Sequence, residues 1–442
     1  MKKNIILFNL LLMSFIYSQC EFSNVLLTME DSWGDGWNGS TFCLNNDCTT
    51  LTNGYIGTEE FCVDLEIEND VACGGGSWMS EVSWRLTDED NNTLLMGGAP
   101  FEGCVGGTCD EENNFPEYYE FNHNGLNREY YLYRPVGIQD NAPLVFVLHG
   151  YSGSANGMIG YSAMNAVADE NGFAVCYPQG MSDQSGYNFW NVGYAFHQNE
   201  TVDDVDFLST LANHLQNEYN LDPQNTYSTG FSNGGDMSYM LACQASDVFR
   251  AIAPVAGCMM EEIYNTCDTS PVPVFEIHGT NDGVTLWDGD MQNNDGWGAY
   301  LSTEDGIDFW IENNGCIRSE DINLPNPEND GSYIIHRRNY VCNEDAEVWL
   351  YEVVNGGHDW PGASGNFDIN ASAEIWNFFT MYMFSLGDVN GDSNIDILDV
   401  VQMVNLILAG EFQSSADMNE DGFVNVQDII VLVSIILGND TY

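Results

Sequence analysis

Positive charge is scarce in this 442-residue chain, which has 9 Lys and Arg against 67 Asp and Glu. The formal charge of −58 repels nucleic acid and anionic membranes, which argues against both as partners. The same field attracts divalent cations. Solubility in salty surroundings is the alternative explanation, since ions screen self-repulsion beyond about 8 Å at physiological ionic strength.

Long hydrophobic runs are also missing. The longest, from Ile5 to Ile16, is shorter than the roughly 18 residues that suggest a membrane span. Two lysines precede this run and Ser18 follows it, which is the pattern of a secretory signal. We therefore expect residues 1–18 to be a signal peptide and the mature protein to be secreted and extracellular.

Cysteine, by contrast, is frequent. Thirteen cysteines fit an oxidising compartment, and their odd number leaves one thiol unpaired or paired between chains. Spacing alone suggests the pairs Cys43/Cys48, Cys104/Cys109, Cys258/Cys267 and Cys316/Cys342, although the connectivity cannot be fixed this way.

The chain divides into three segments after the signal. Residues 19–122 contain short alternating runs between turns, which predict a small disulfide-bearing β-sandwich-like domain. Residues 123–385 alternate buried strands with helical patterns, the rhythm of an α/β domain. Residues 386–442 contain two acidic loops, each followed by an apolar helix, which predicts a small all-α domain.

One serine of the middle segment lies in the frame Gly-Phe-Ser-Asn-Gly, residues 230–234. The pattern G-x-S-x-G is weak by itself, because Gly, Ser and Asn are common in turns. Here a strand, "NTYSTGFS", precedes it and a helix, "NGGDMSYMLACQAS", follows it. That context predicts a nucleophile elbow presenting Ser232.

A base and an acid follow in the order such sites require, Ser, then Asp or Glu, then His. His358 lies in a Gly-rich loop just after a strand and is the predicted base, whereas His336 lies inside a strand-like alternation. Asp282 follows the strand "PVPVFEIHG" and is the predicted acid; Asp288 and Asp290 are weaker alternatives. We expect His278 to pack at the strand end.

An oxyanion formed at Ser232 needs backbone donors. The N–H of Asn233, directly after the serine, is one candidate. The N–H of Tyr151, in the loop "LHGYSG" after an early strand, is the other. A simple turn is the alternative explanation for that loop.

These motifs carry a resemblance. "LHGYSGSANGM", "TGFSNGGDMSYMLAC", "APVAG", "IHGTND" and "GGHDWPG" resemble the secreted esterases of the polyhydroxybutyrate depolymerase and feruloyl esterase group over roughly residues 126–384. The resemblance implies an α/β-hydrolase fold, a Ser-His-Asp mechanism without a cofactor, and a triad of Ser232, Asp282 and His358. It places Trp190 and Trp360 along the substrate cleft, with core packing as the alternative.

The implied function is hydrolysis of feruloyl or acetyl esters on plant or algal-type polysaccharides. Extracellular polyhydroxybutyrate depolymerase is the second candidate. A non-catalytic surface-binding protein, in which the hydrolase domain is only a scaffold, is the alternative from another class.

Two loops of the tail superpose at an offset of 29 residues and offer oxygen atoms at alternate positions with a late carboxylate. That donor set suits the 6–8 oxygen shell of calcium and predicts two structural ions. The predicted ligands of the first loop are Asp388, Asn390, Asp392, Asn394, Asp396 and Asp399. Those of the second are Asp417, Asn419, Asp421, Phe423 through its carbonyl, Asn425 and Asp428.

The tail resembles a type I dockerin, which implies docking onto a cohesin. Its two helices lack the Lys and Arg residues that usually flank the dockerin recognition surface. A calcium-folded module for stability or surface attachment therefore remains the alternative partner hypothesis.

The N-terminal segment offers one conspicuous stretch, "EDSWGDGWNGSTF", with Trp33 and Trp37 among Asp and Gly. A sugar-stacking face or a calcium-bound loop could use these residues. Aromatic residues packing in the turns of a small β-domain are the alternative.

Overall fold

The computed structural model describes residues 20, 22–109, 115–390, 394–419 and 421–437. The predicted signal peptide and Asp392 lie outside these residues. No described helix is both long and apolar enough to cross a bilayer.

The N-terminal part forms two four-stranded antiparallel sheets. Its strands are β1 (Ser23–Asp31), β2 (Thr41–Leu44), β3 (Asp47–Thr49), β4 (Ile56–Val63), β5 (Asn69–Gly74), β6 (Val82–Thr87), β7 (Thr93–Gly98) and β8 (Phe101–Val105). The sheet orders are β4-β1-β6-β7 and β3-β2-β5-β8, and one core fills the space between the sheets. We call this unit the N-terminal sandwich.

The middle segment forms a ten-stranded sheet and a two-stranded hairpin. Its strands are β9 (Glu117–His123), β10 (Leu126–Tyr133), β11 (Leu144–Leu148), β12 (Ala174–Gln179), β13 (Met181–Ser182), β14 (Asn188–Phe189), β15 (Thr226–Phe231), β16 (Ala251–Val255), β17 (Val274–Gly279), β18 (Arg318–Asn323), β19 (Tyr333–Tyr340) and β20 (Val348–Val354). The large sheet has the order β18-β19-β20-β17-β16-β15-β11-β12-β10-β9. β9 lies before the domain start expected at residue 123, yet it pairs with β10 in this sheet.

Helices cover the large sheet and form the tail. They are α1 (Ala155–Ser162), α2 (Met164–Asn171), α3 (Asp204–Tyr219), α4 (Asn233–Gln244), α5 (Glu261–Thr266), α6 (Thr303–Asn314), α7 (Ala371–Thr380), α8 (Ile397–Ala409) and α9 (Val426–Ile436). The last two pack around a small core containing Val389, Met403, Leu406 and Leu432. The three-part fold class expected from the sequence is confirmed.

Strand β11 shows why the central strands read as continuous apolar runs. Leu144, Phe146 and Leu148 belong to the core on one face of the sheet, while Val145 and Val147 belong to the core on the other. Both faces are covered, so every position of the strand is buried. The six central strands are parallel, so the loops after β11, β15, β17 and β20 meet at one sheet edge.

Five disulfides are present among the described residues, joining Cys20–Cys62, Cys43–Cys48, Cys104–Cys109, Cys243–Cys267 and Cys316–Cys342. The expected pair Cys258/Cys267 is therefore wrong. Cys267 bonds to Cys243 at the end of α4, and Cys258 is a free thiol, as are the buried Cys73 and Cys176. The wrong pairing came from sequence spacing, which ignores that α4 and α5 pack together.

Candidate active site

Ser232 occupies a sharp turn between β15 and α4. Its φ of 55° and ψ of −120° lie in a region that costs a non-glycine residue about 1–3 kcal/mol. A Cβ atom on Gly230 would lie 2.5 Å from the carbonyl oxygen of Gly234, and one on Gly234 would lie 2.3 Å from that of Leu148. The two glycines are thus sterically required, because strand, turn and helix approach too closely for side chains.

His358 and Asp282 form a hydrogen-bonded pair at the same sheet edge. The Nδ1–H of His358 donates to Oδ2 of Asp282 at 2.7 Å. The other oxygen of Asp282 accepts the backbone N–H groups of Val284 and Thr285, at 2.8 and 2.9 Å. Three hydrogen bonds therefore fix both groups, and the imidazole keeps its Nε2 free of the proton held at Nδ1.

The pKa of Asp282 is held below its usual value. Burial acts to raise it, but the hydrogen bond and charge of His358, with the charge of His278, outweigh burial. Asp282 thus stays ionised near neutral pH, which is the state that stabilises an imidazolium at His358.

Ser232 and His358 line one cavity, and the ring of Phe231 packs 4.7 Å from the imidazole of His358. Among the described residues the Ser232 hydroxyl forms no hydrogen bond with His358. Such catalytic bonds often close only when substrate binds. The structure therefore brings the three predicted triad residues to one site, with the serine–histidine contact still open.

Two backbone N–H groups beside Ser232 donate to no other group in the described part of the chain: those of Tyr151 and Asn233. Gly150, next to Tyr151, is so close that a Cβ there would lie 3.4 Å from Cβ of Ser232. Asn233 is the first residue of α4, where the helix dipole favours negative charge. Both donors are thus available to an anion formed at the serine.

Trp190 and Trp360 do not line the cleft, which corrects the expectation from the sequence. Their exposed fractions are 0% and 1%. The indole N–H of Trp190 donates to the carbonyl of His149, and its backbone N–H donates to Oδ1 of Asn233. Trp190 therefore ties together the two loops that carry the free amides. Trp360 packs in the core against α7, where its indole N–H donates to Ser372.

The alternative acid Asp290 and the alternative base His336 have other roles. Asp290 accepts hydrogen bonds from Asn294 and Asp295 and so shapes its own loop. His336 is buried on β19 between aromatic rings, and burial lowers its pKa to about 4. It is therefore a neutral packing residue rather than a base at the cleft.

Sequence reasoning missed a buried ionisable group behind the site. His278 donates through Nε2 to the carbonyl of Thr285 at 2.9 Å, and its Nδ1 lies 3.0 Å from Oε1 of Glu276. Burial raises the pKa of Glu276, and the neighbouring Glu276 carboxylate raises the pKa of His278 although burial acts to lower it. Nε2 of His278 also lies 3.6 Å from Asp282. The only sequence feature that indicates the pair of Glu276 and His278 is the motif "EIH", which places two polar residues at alternate positions of an apolar strand.

The tail loops carry oxygen donors that fit calcium. The buried carboxylate of Asp399 accepts the N–H groups of Val389, Asn390 and Asp396, which folds the first loop around it. Asp428 accepts those of Asn419 and Asn425 in the second loop. The late carboxylate of each loop thus accepts the N-cap N–H of the helix that follows it, which fixes its position in the loop.

Comparison with known proteins agrees with this architecture. Residues 128–300 match the model of the family described as esterase PHB depolymerase. The resemblance read from the sequence is confirmed for this segment. Residues 386–437 match the dockerin type I domain, a domain that implies calcium binding and a cohesin partner.

Individual relatives of the esterase segment are ester hydrolases by name. A bifunctional acetylxylan esterase/xylanase of Neocallimastix patriciarum is 30% identical over 276 residues, 61% of this chain and 35% of that protein. Feruloyl esterase C of Emericella nidulans is 28% identical over 299 residues, 65% of this chain and 96% of that protein. The chain thus spans about a third of the first relative and nearly all of the second.

Among solved structures, an acetyl xylan esterase from Aspergillus awamori has a TM-score of 0.43 at 17% identity, covering 60% of this chain and 99% of that one. The α/β-hydrolase assignment rests on the strand order and the elbow of this chain itself.

Proposed function

We propose that this protein is a secreted serine carboxylic-ester hydrolase that removes feruloyl or acetyl esters from polysaccharides. The observation that carries the proposal is the strained elbow of Ser232, which faces the His358–Asp282 pair across one cavity. A scaffold or adhesin has no need of backbone strain beside an ionised carboxylate and its histidine.

The proposed mechanism has two steps. Ser232 attacks the ester carbonyl while Nε2 of His358 takes its proton, and Asp282 stabilises the imidazolium. The N–H groups of Tyr151 and Asn233 hold the tetrahedral anion. His358 then protonates the leaving alcohol, and water repeats the sequence on the acyl-enzyme.

Hydrolysis of 4-nitrophenyl acetate by the wild type and by Ser232→Ala tests this function. We expect the variant to lose at least about 10³-fold in kcat, since the nucleophile is gone while binding groups remain. Equal rates for the two proteins would exclude a serine esterase and favour the surface-binding alternative.

Polyhydroxybutyrate hydrolysis is the second candidate, favoured by the family description of the matched segment. Release of acetate, ferulate or 3-hydroxybutyrate from the respective polymers separates the candidates. Polysaccharide esters come first because the dockerin tail would attach the enzyme to a polysaccharide-degrading complex. We further propose that the tail holds two calcium ions, one in each loop, and that the five disulfides form on export.

A further inference from the structure

The cavity in front of Ser232 is built by two domains. It has a volume of about 790 Å³. Tyr151, Ser232 and His358 line it from the large-sheet domain, while Trp33 and the segment 76–81 line it from the N-terminal sandwich. The sandwich therefore supplies a wall of the cleft itself.

The sandwich is docked too closely to act as a separate module on a tether. A Cβ atom on Gly160 of α1 would lie 2.3 Å from the backbone nitrogen of Gly98 in β7. Met96, also in β7, is buried in the core of the large-sheet domain. Backbone contact and a shared core fix the position of this wall relative to Ser232.

Two tryptophans of the sandwich line the cavity and are partly exposed. Trp33 stacks on Tyr187 with centroids 4.7 Å apart and planes at 14°, yet remains 40% exposed. Trp78 is 54% exposed and has a φ of 56°, a conformation that is an outlier for a bulky residue. A strained backbone conformation persists only where the surrounding structure imposes it, and strained residues are concentrated at active sites and binding sites.

The polar groups of this wall are acidic or neutral. Asp35 and Glu81 line the cavity with Ser77 and Ser80, and the described lining residues include neither Lys nor Arg. Carboxyl and hydroxyl groups beside aromatic faces suit a ring that has apolar faces and hydroxyl edges. An anionic chain would be repelled by the carboxylate of Asp35, because no Lys or Arg among the described lining residues offsets its charge.

A second, much smaller space also opens beside Ser232. It measures about 20 Å³, lies between Tyr194, Met260 and Trp297, and holds about one water-sized group. A methyl group fits this space and an aromatic acyl group does not. An acyl group placed in this space must therefore be small, and the wide cavity is then left for the alcohol.

We propose that the N-terminal sandwich forms a saccharide subsite of the esterase, in which Trp33 and Trp78 stack on the rings of an uncharged polysaccharide whose acetyl ester reaches Ser232. The proposal rests on the proposed function and selects acetyl esters of neutral saccharides within it.

The test compares acetylated xylo-oligosaccharides with 4-nitrophenyl acetate, which carries no saccharide ring. We expect Trp33→Ala and Trp78→Ala each to lower the ratio of the two kcat/KM values by about 2- to 10-fold, the range of about 0.5–1.5 kcal/mol for a ring pair. Trp33→Phe should lower it less. Tyr264→Ala, an exposed aromatic residue outside the cavity, should leave the ratio unchanged.

A charge test accompanies it. The wild type should release acetate faster from acetylated xylan, which is neutral, than from acetylated polygalacturonate, which is anionic. Asp35→Asn should reduce the difference between these two rates. If Ser232→Ala is inactive while all tryptophan variants keep the wild-type ratio, the subsite is refuted and the esterase stands. Faster release of ferulate than acetate would also overturn the subsite assignment. An active Ser232→Ala variant would instead refute the proposed function.

Discussion

Replacing Asp282 with asparagine tests the logic of the site most directly. The side chain of Asp282 uses one oxygen for the amides of Val284 and Thr285 and the other for Nδ1–H of His358 at 2.7 Å. An asparagine can keep the first two bonds, so the loop should stay folded. Its NH₂ group would then face Nδ1 of His358, which must become an acceptor and move its proton to Nε2.

An imidazole protonated at Nε2 cannot take the proton of Ser232. We therefore expect Asp282→Asn to lose about 10⁴-fold in kcat on 4-nitrophenyl acetate, or about 5.4 kcal/mol of transition-state stabilisation. Asp290→Asn is the matched control, because that carboxylate also accepts hydrogen bonds within its loop but stands away from His358. A loss under tenfold in Asp282→Asn, or an equal loss in the control, would refute the assignment.

The lowered pKa of Asp282 also predicts how the stability of the protein changes at acidic pH. A carboxylate whose pKa falls on folding stabilises the native state above its unfolded pKa, near 3.9, and that contribution is lost as pH falls through the folded value. Asp282→Asn should remove this part of the acid destabilisation. Thermal melts of both proteins between pH 6 and pH 3 measure the difference.

Four further predictions follow from the geometry. Gly234→Ala should lower stability by about 1–3 kcal/mol and activity sharply, because its Cβ meets the carbonyl of Leu148, whereas Gly283→Ala, with open space around it, should not lower stability. Glu81 has a pKa raised to about 8 by burial and by the charges of Asp31 and Asp35, so the wild type should lose stability from pH 6 to pH 9 and Glu81→Gln should lose less. Trp78→Gly should relieve the left-handed strain and raise the melting temperature slightly while weakening saccharide binding; a lower melting temperature would contradict the strain argument. Calcium at about 100 times its dissociation constant should stabilise the tail by about 2.7 kcal/mol, followed by circular dichroism, and Asp399→Asn should reduce that gain.

The sequence predicted the elbow well because its requirements are local. Gly230 and Gly234 surround Ser232 at fixed spacing, and a strand and a helix flank them. Asp282 and His358 could be found because each follows a central strand, and parallel strands end at one edge. Periodicity, turn residues and chain order are sufficient for such features.

The orientation of side chains depends on which helices and strands pack against each other, and sequence motifs do not give this information. Trp190 and Trp360 stand beside site motifs in the sequence, but their side chains turn into the core and bind backbone carbonyls or a serine. Trp33 and Trp37 are four residues apart in one loop; the first is exposed at the cleft and the second is 1% exposed in the sandwich core. The direction of each ring is decided by tertiary packing.

Each wall of the cleft contains one residue with a strained backbone conformation. Ser232 and Trp78 are both non-glycine residues with φ near +55°, they face one cavity, and each conformation costs about 1–3 kcal/mol. Ser232 is held by its N–H bond to Val255 and by the packing of α4. Trp78 is held by hydrogen bonds on either side, from Ser77 to Asn38 and from Glu81 to Trp78 itself. Since neither conformation is favoured locally, each depends on its domain being intact. The close contact of Gly98 with Gly160 fixes the position of one domain relative to the other. Substitutions at this domain contact should therefore change the selectivity for saccharide esters, while ester hydrolysis at Ser232 itself should not change.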